Sequence, residues 1–278
     1  MSNSPKISVI MPVYNCEDYI LEAVTSILNQ TYNNFEFLII DDASTDETVN
    51  IITRLEDERI KLIVKTKNSG YTNSLNLGLS LAKGKYIARM DGDDISRLDR
   101  FSLQIKFLEA HLDVVICGSR YKIIDENTVI NVPEYDNDIK TAMLTACAMA
   151  HPSVMIRAST IKNNKIEYDI KKEPAEDYDL WVKLMKYGKL YNIQETLLYY
   201  RVHASQVSNT NKINQNKSAL DTRIKLLNYI NDEISEKEKS NLKSIIINEK
   251  RTLQDIRGFI KLKSMLIARN EFFVKKGL

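Results

Sequence analysis

Five apolar runs, at residues 7–13, 35–40, 60–64, 86–90 and 114–117, alternate along this chain with stretches of helical spacing, and that alternation constrains the fold more than any other feature. Runs of this length bounded by polar and turn residues read as buried strands, and the spacing predicts helices over 15–30, 46–56, 71–81, 98–110 and 176–187. Strand followed by helix, repeated, means a mostly parallel α/β sheet flanked by helices. Asn15 should cap the first helix, and Ser44-Thr45-Asp46-Glu47 has the form of a capping box for the second. In open α/β sheets ligands sit beyond the carboxyl ends of the strands, so residues 12–15, 41–42 and 91–94 should line one crevice.

The third of these segments, Asp91-Gly92-Asp93-Asp94, places three carboxylates in four residues at a strand end. A solvated acidic turn would have the same composition. Carboxylate oxygens suit hard divalent ions, however, and such ions commonly hold a substrate's phosphates. The familiar phosphate loops are missing: Gly78 and Gly84-Lys85 lack the Walker A spacing, and no Gly-x-Gly-x-x-Gly follows the first run. A Mn²⁺ or Mg²⁺ ion on acidic residues is the remaining way to hold a diphosphate.

Bulk properties narrow the setting. The 278 residues carry a net charge of +2, which gives no overall argument for nucleic acid, but the charge is unevenly spread. Residues 204–278 hold 15 Lys and Arg against 8 Asp and Glu, whereas residues 1–203 hold 24 against 29. Cys16, Cys117 and Cys147 are odd in number and widely spaced, which argues against a disulfide framework or a structural zinc site. There is no run of eighteen apolar residues and no signal-peptide core at the start. The expected location is the cytoplasm, or the inner face of a membrane.

Five segments together resemble the successive motifs of family-2 glycosyltransferases of the GT-A fold. They are Ile7-Ser8-Val9-Ile10-Met11-Pro12-Val13-Tyr14-Asn15, Ile39-Ile40-Asp41-Asp42-Ala43-Ser44-Thr45-Asp46, Asn68-Ser69-Gly70 with Asn76-Leu77-Gly78, Ala88-Arg89-Met90-Asp91-Gly92-Asp93-Asp94, and Ala175-Glu176-Asp177-Tyr178-Asp179-Leu180-Trp181. They occur in family order over residues 5 to 203, and Tyr199-Tyr200-Arg201-Val202-His203 adds a Tyr-Arg-x-His end found in bacterial members.

The resemblance implies roles. Asp42 would accept a hydrogen bond from uracil or another base, with Pro12, Tyr14 and Asn15 shaping the wall beside it and Asn68 and Gly70 completing the nucleotide-sugar side. Tyr14 could equally be a packing residue. Asp91 would reach the ribose, Asp93 the Mn²⁺ or Mg²⁺ with His203, and Arg201 the diphosphate from a closing loop. Asp94 either supports its neighbours from behind or caps the next helix.

Asp177 holds the position of the general base, which an inverting transfer needs on the face opposite the leaving group. Glu176 beside it is a second candidate, but consecutive helical residues diverge by about 100°, so only one should face the crevice. His151 lies in a segment that the resemblance puts beside the acceptor, where it contacts sugar or phosphate or serves as a structural histidine. Trp181 either floors the sugar site or anchors its helix in the core. The family's frequent Ala-Arg-Asn is Ser74-Leu75-Asn76 in this chain, which removes an arginine and points to a subgroup of surface-polysaccharide enzymes.

The expected organisation is a catalytic domain over 1–205, its nucleotide-sugar half about 1–118 and its acceptor half about 119–205, followed by a helical, basic region over 206–278. In that last region Leu253, Phe259, Ile260, Leu262 and Met265 alternate with Lys261, Lys263 and Arg269, a pattern suited to an anionic membrane surface or to packing against protein. The implied activity is inverting transfer of a sugar from a nucleotide-diphosphate donor, a UDP-sugar first, to a glycan or lipid-linked acceptor. A sugar-1-phosphate nucleotidyltransferase would need a Gly- and Arg-rich loop where Pro12-Val13-Tyr14-Asn15 stands. A non-catalytic nucleotide-sugar scaffold would have no use for both Asp93 and Asp177.

Overall fold

The computed structural model describes residues 5–124, 126–203, 206 and 212–230. Strands β1 (Ile7–Val13), β2 (Phe35–Asp41), β3 (Ile60–Val64) and β4 (Tyr86–Arg89) lie in the order β3-β2-β1-β4, every pair parallel. Helices α1 (Ile20–Leu28), α2 (Thr48–Thr53) and α3 (Tyr71–Leu81) make the crossovers between them. All residues of β1, β2 and β4 are buried, because helices cover both faces, and this is why these strands read as unbroken apolar runs.

Beyond β4 the sheet becomes mixed. After β5 (Ile95–Ser96) and α4 (Arg100–Ala110), β6 (Val114–Ile123) runs well past its predicted end at residue 117 and pairs with β7 (Val129–Ile130). Helix α5 (Asp136–Ala142) follows, and then β8 (Met155–Arg157) inserts antiparallel between β4 and β6. Helices α6 (Ala158–Asn163) and α7 (Glu176–Leu184) lead to β9 (Lys189–Tyr200), which is parallel to β6 and antiparallel to β5; α8 (Lys212–Ile230) is the last described element. The predicted membrane-facing residues from Leu253 onward lie outside the described residues. None of the described helices is long and apolar enough to cross a membrane.

The core has two layers. Ile7, Val9, Met11 and Val13 of β1 pack with Ile20, Val24 and Ile27 of α1 and Phe101 and Leu108 of α4, while Ile10 faces the other side with Leu75 and Leu79 of α3 and Trp181 of α7. Gly78 allows α3 to lie close to the sheet: a Cβ there would come within 2.5 Å of Ile10 Cγ2 and 3.2 Å of Ile40 Cδ1. Gly78→Ala is therefore expected to destabilise the fold by ~1–3 kcal/mol through overpacking, against the gain in helix propensity. A urea midpoint that stays put or rises would show that α3 can move off the sheet without cost.

Two local expectations fail for the same reason. Asn15 caps no helix: it has φ 48°, its N–H donates to Ser44 Oγ at 2.9 Å, and its Oδ1 accepts the Thr45 N–H at 2.8 Å. Helix α1 starts only at Ile20. Ser44 is thereby taken out of the predicted capping box, α2 starts at Thr48, and the Thr48 N–H is met by Asp46 Oδ1 instead. Both cap motifs are used to bind the β1–α1 loop to the β2–α2 loop.

Candidate functional site

A cavity of about 630 Å³ opens at the carboxyl ends of β1, β2 and β4 and extends to the start of α7. Fully buried Arg100 fixes the end of β4, donating through Nη2 to the carbonyls of Arg89 at 2.7 Å and Val154 at 3.3 Å. Burial without a close carboxylate pulls this guanidinium down to about 9.

The acids that follow β4 separate into three environments. Asp91 lines the cavity and forms an ion pair with the guanidinium of Arg89, itself buried at the last position of β4. Asp93 Oδ2 lies 2.9 Å from His203 Nε2 and accepts from Gln206 Nε2 at 3.3 Å. Asp94 is fully buried: its Oδ1 accepts the Arg201 N–H at 2.9 Å, and its Oδ2 has no hydrogen-bond partner. It caps no helix, since α4 begins at Arg100.

Candidate ligand atoms of Asp91, Asp93 and Asp94 lie within 4.8 Å of one another. Burial and the neighbouring carboxylates push Asp94 well above the usual range, and burial raises Asp91 as well. Carboxylate oxygens, an imidazole nitrogen beside them, and a buried oxygen lacking a partner fit a hard divalent cation.

The residues expected to hold the nucleotide sugar, Pro12, Tyr14, Asn15, Asp42, Asn68 and Gly70, all border the cavity. Gly70 takes φ 90° at the start of α3, and its N–H is accepted by Asn68 Oδ1 at 3.1 Å. Tyr14 is half exposed at the rim, so packing does not account for it.

The far side is built by the first turn of α7. Asp177 Oδ1 accepts the Tyr178 N–H at 2.6 Å, and its Oδ2 receives the Cys147 thiol at 3.8 Å. Burial pushes Asp177 up to about 6, against the pull of the Tyr178 N–H and the Arg89 charge. Glu176 accepts a hydrogen bond from the Tyr71 hydroxyl, and burial together with the Asp177 charge pushes it up to about 8. Two carboxyl groups side by side are thus held at different protonation states near neutral pH.

His151 stands 3.9 Å from Glu176 through Nδ1 and 2.8 Å from the Tyr168 hydroxyl through Nε2. Burial and Arg89 hold it well below the usual histidine range, so it is neutral and its contact with Glu176 is not an ion pair.

Two expectations need correction, and a third is decided between its alternatives. Glu176 and Asp177 both border the cavity, because the helix starts at Glu176 and the cavity wraps its open end. Of the two places open to Trp181 the core is the one it takes: it has no exposed surface and meets the His151 ring edge to face at a separation of 5.6 Å, so it floors no sugar site. Arg201 does not border the cavity: its guanidinium donates to the Asp93 carbonyl at 2.9 Å and to Glu22 at 2.6 Å, over the Tyr19 ring.

Arg89, Tyr71, Cys147 and Gln206 were not singled out from the sequence. For Arg89 a signal existed, since a cation inside a buried strand requires a counter-charge, and Asp91 was two residues away.

A family model described as Glycosyl transferase family 2 matches residues 8–160. An uncharacterized glycosyltransferase of Haemophilus influenzae is 34% identical, over 99% of this chain and 97% of its own length. An Escherichia coli protein named UDP-Glc:alpha-D-GlcNAc-diphosphoundecaprenol beta-1,3-glucosyltransferase WfaP is 38% identical over 73% of this chain and 79% of its own. Among solved structures, residues 1–349 of TarS from S. aureus in complex with UDP superpose with a TM-score of 0.68 at 20% identity, covering 95% of this chain and 82% of that one. At that identity the likeness is one of fold.

Proposed function

Because the chain belongs to glycosyltransferase family 2, we propose that it is an inverting, divalent-metal-dependent hexosyltransferase that moves a sugar from a UDP-sugar to a hydroxyl of a glycan or lipid-linked acceptor in bacterial polysaccharide synthesis. The observation that carries this reading is that one cavity joins the acid cluster after β4 to Asp177 at the start of α7. The name of the E. coli relative supports the lipid-linked acceptor and the UDP donor. The basic stretch over 204–278 would meet the inner face of the membrane that carries such a lipid.

Asp42 accepts from the base, and Asp91 from the ribose hydroxyls. Asp93 and His203 would hold Mn²⁺ or Mg²⁺, which when bound neutralises the diphosphate as negative charge grows on it. Asp177 takes the proton of the acceptor hydroxyl while that oxygen bonds to the anomeric carbon. The bond from this carbon to the diphosphate oxygen breaks on the opposite face, so the configuration inverts in a single displacement. Glu176, protonated and held by Tyr71, orients the acceptor beside the base without competing for its proton.

The direct test is release of UDP from UDP-glucose, UDP-galactose and UDP-N-acetylglucosamine with Mn²⁺ and a diphospholipid-linked sugar. A nucleotidyltransferase would release no UDP from these donors, and would instead form diphosphate when given UTP and a sugar 1-phosphate. If no nucleotide sugar is turned over and none raises the melting temperature, the reading fails.

A pH dependence follows from Asp177. Its base form grows as pH rises through about 6, so kcat/KM should climb over that interval. An ascending limb near pH 4, typical of an exposed aspartate, would remove Asp177 as the base.

A further inference from the structure

Lys65 lies just past the end of β3, with its backbone N–H donating to the Asp41 carbonyl at 2.9 Å and its side chain mostly buried. An ammonium has three protons, and all three have acceptors here: Asp42 Oδ1 at 2.5 Å, Ser74 Oγ at 3.0 Å and Ser69 Oγ. The group therefore has no proton left for a phosphate. Asp42 Oδ1 also accepts the Ser69 N–H at 3.0 Å. Two donors thus converge on one oxygen of Asp42, and among the described residues no hydrogen bond reaches the other, Oδ2, although Asp42 borders the cavity.

We infer that Lys65, braced by Ser69 and Ser74, is a specificity-determining positioning residue: it fixes Asp42 so that a bare carboxylate oxygen meets the base, selecting a base with an imide N–H, as in uracil, over cytosine. The inference rests on the proposed nucleotide-sugar reading. Asp42 held in this way is an acceptor only. Uracil presents N3–H as a donor, whereas cytosine presents N3 as a bare acceptor, which the same oxygen repels. A carboxylate with both oxygens loose could turn to accept from the cytosine amino group, so discrimination depends on the anchor as well as on the aspartate.

The same geometry makes an unusual demand on Asp42→Asn. With the Ser69 N–H and Lys65 both donating to the Oδ1 position, the amide oxygen must occupy it, and the NH₂ must face the cavity. That reverses the hydrogen-bond sense of the site, from accepting to donating.

The test is the affinity of the full chain for UDP and for CDP, each with Mn²⁺, by titration calorimetry. The parent should prefer UDP by ~100-fold or more, because CDP leaves the anchored carboxylate oxygen without a donor. Lys65→Met should lower that ratio by ~10-fold or more, Ser74→Ala should lower it in the same direction by less, and Asp42→Asn should shift preference toward CDP. Adding Lys65→Met to Asp42→Asn should shrink the gain in CDP binding. If Lys65→Met weakens UDP and CDP by one factor, or Asp42→Asn does so, Lys65 is only structural and the inference is overturned. Thermal unfolding checks each variant, and if Lys65→Met does not fold, the Ser74→Ala and Asp42→Asn ratios decide. A parent that binds neither nucleotide would overturn the UDP-sugar reading and this inference with it; a parent that prefers UDP while the variants keep its ratio would overturn this inference alone.

Discussion

Asp177→Asn is expected to lower turnover by ~10²- to 10⁴-fold while UDP affinity stays within about twofold of the parent. Asparagine has the same shape and can still accept the Tyr178 N–H, but it cannot take a proton. The comparison that gives this result its meaning is Glu176→Gln. Glu176 is pushed up to about 8, so near neutral pH it is already uncharged, and glutamine can still accept from Tyr71. That variant should lose far less turnover than Asp177→Asn. Unchanged turnover in Asp177→Asn would eliminate the residue as base, and an equal loss in both variants would mean that the pair acts as one unit.

The second large effect falls on binding. Asp93→Ala should abolish transfer and weaken UDP binding in the presence of Mn²⁺ by ~100-fold or more, leaving a residual affinity that no longer responds to the ion. Calorimetric titration with and without Mn²⁺ separates this from a change confined to chemistry. Affinity that still rises with Mn²⁺ as in the parent would move the metal site away from Asp93. Taken together, the two variants divide the cavity: one loses the reaction and keeps the nucleotide, and the other loses both.

The first part of the fold, β1 to β4, was legible because its strands are buried on both faces and need no pattern beyond continuous apolarity, and because its acids come at strand ends. The part of the fold that follows β4 hid its architecture. β8 is only three residues long, too short for any periodicity, yet it determines that the sheet turns mixed. Residues 15 and 44–47 carried valid local signals for helix caps, and a loop-to-loop bond between Asn15 and Ser44 overrode them. The candidate site was legible where a residue's type alone suggests its chemistry, as at Asp42, Asp91, Asp93 and Asp177. It was not legible where partners distant in sequence decide the role: Arg89 is explained by Asp91 and the cavity, and Tyr71 by Glu176, 105 positions away. Trp181 shows the converse, since a lone tryptophan beside a motif leaves the site and the core both open from sequence, and packing decides for the core.

The short strand β8 has a consequence for how such a chain can change over time. Met155 and Ile156 are each paired on both sides, with Ala88 and Ile87 of β4 and with Cys117 and Ile116 of β6. This rivet fixes the register between β4, which delivers the acids, and β6, which leads into the rest of the sheet. The residues between Ile123 and Met155 therefore leave and rejoin the sheet at clamped points. Insertions and replacements confined to the turn between β6 and β7 would leave this register, and with it the positions of Asp91 and Asp93, in place. Descendants of one scaffold could then vary that turn while inheriting, unaltered, the placement of the acids after β4.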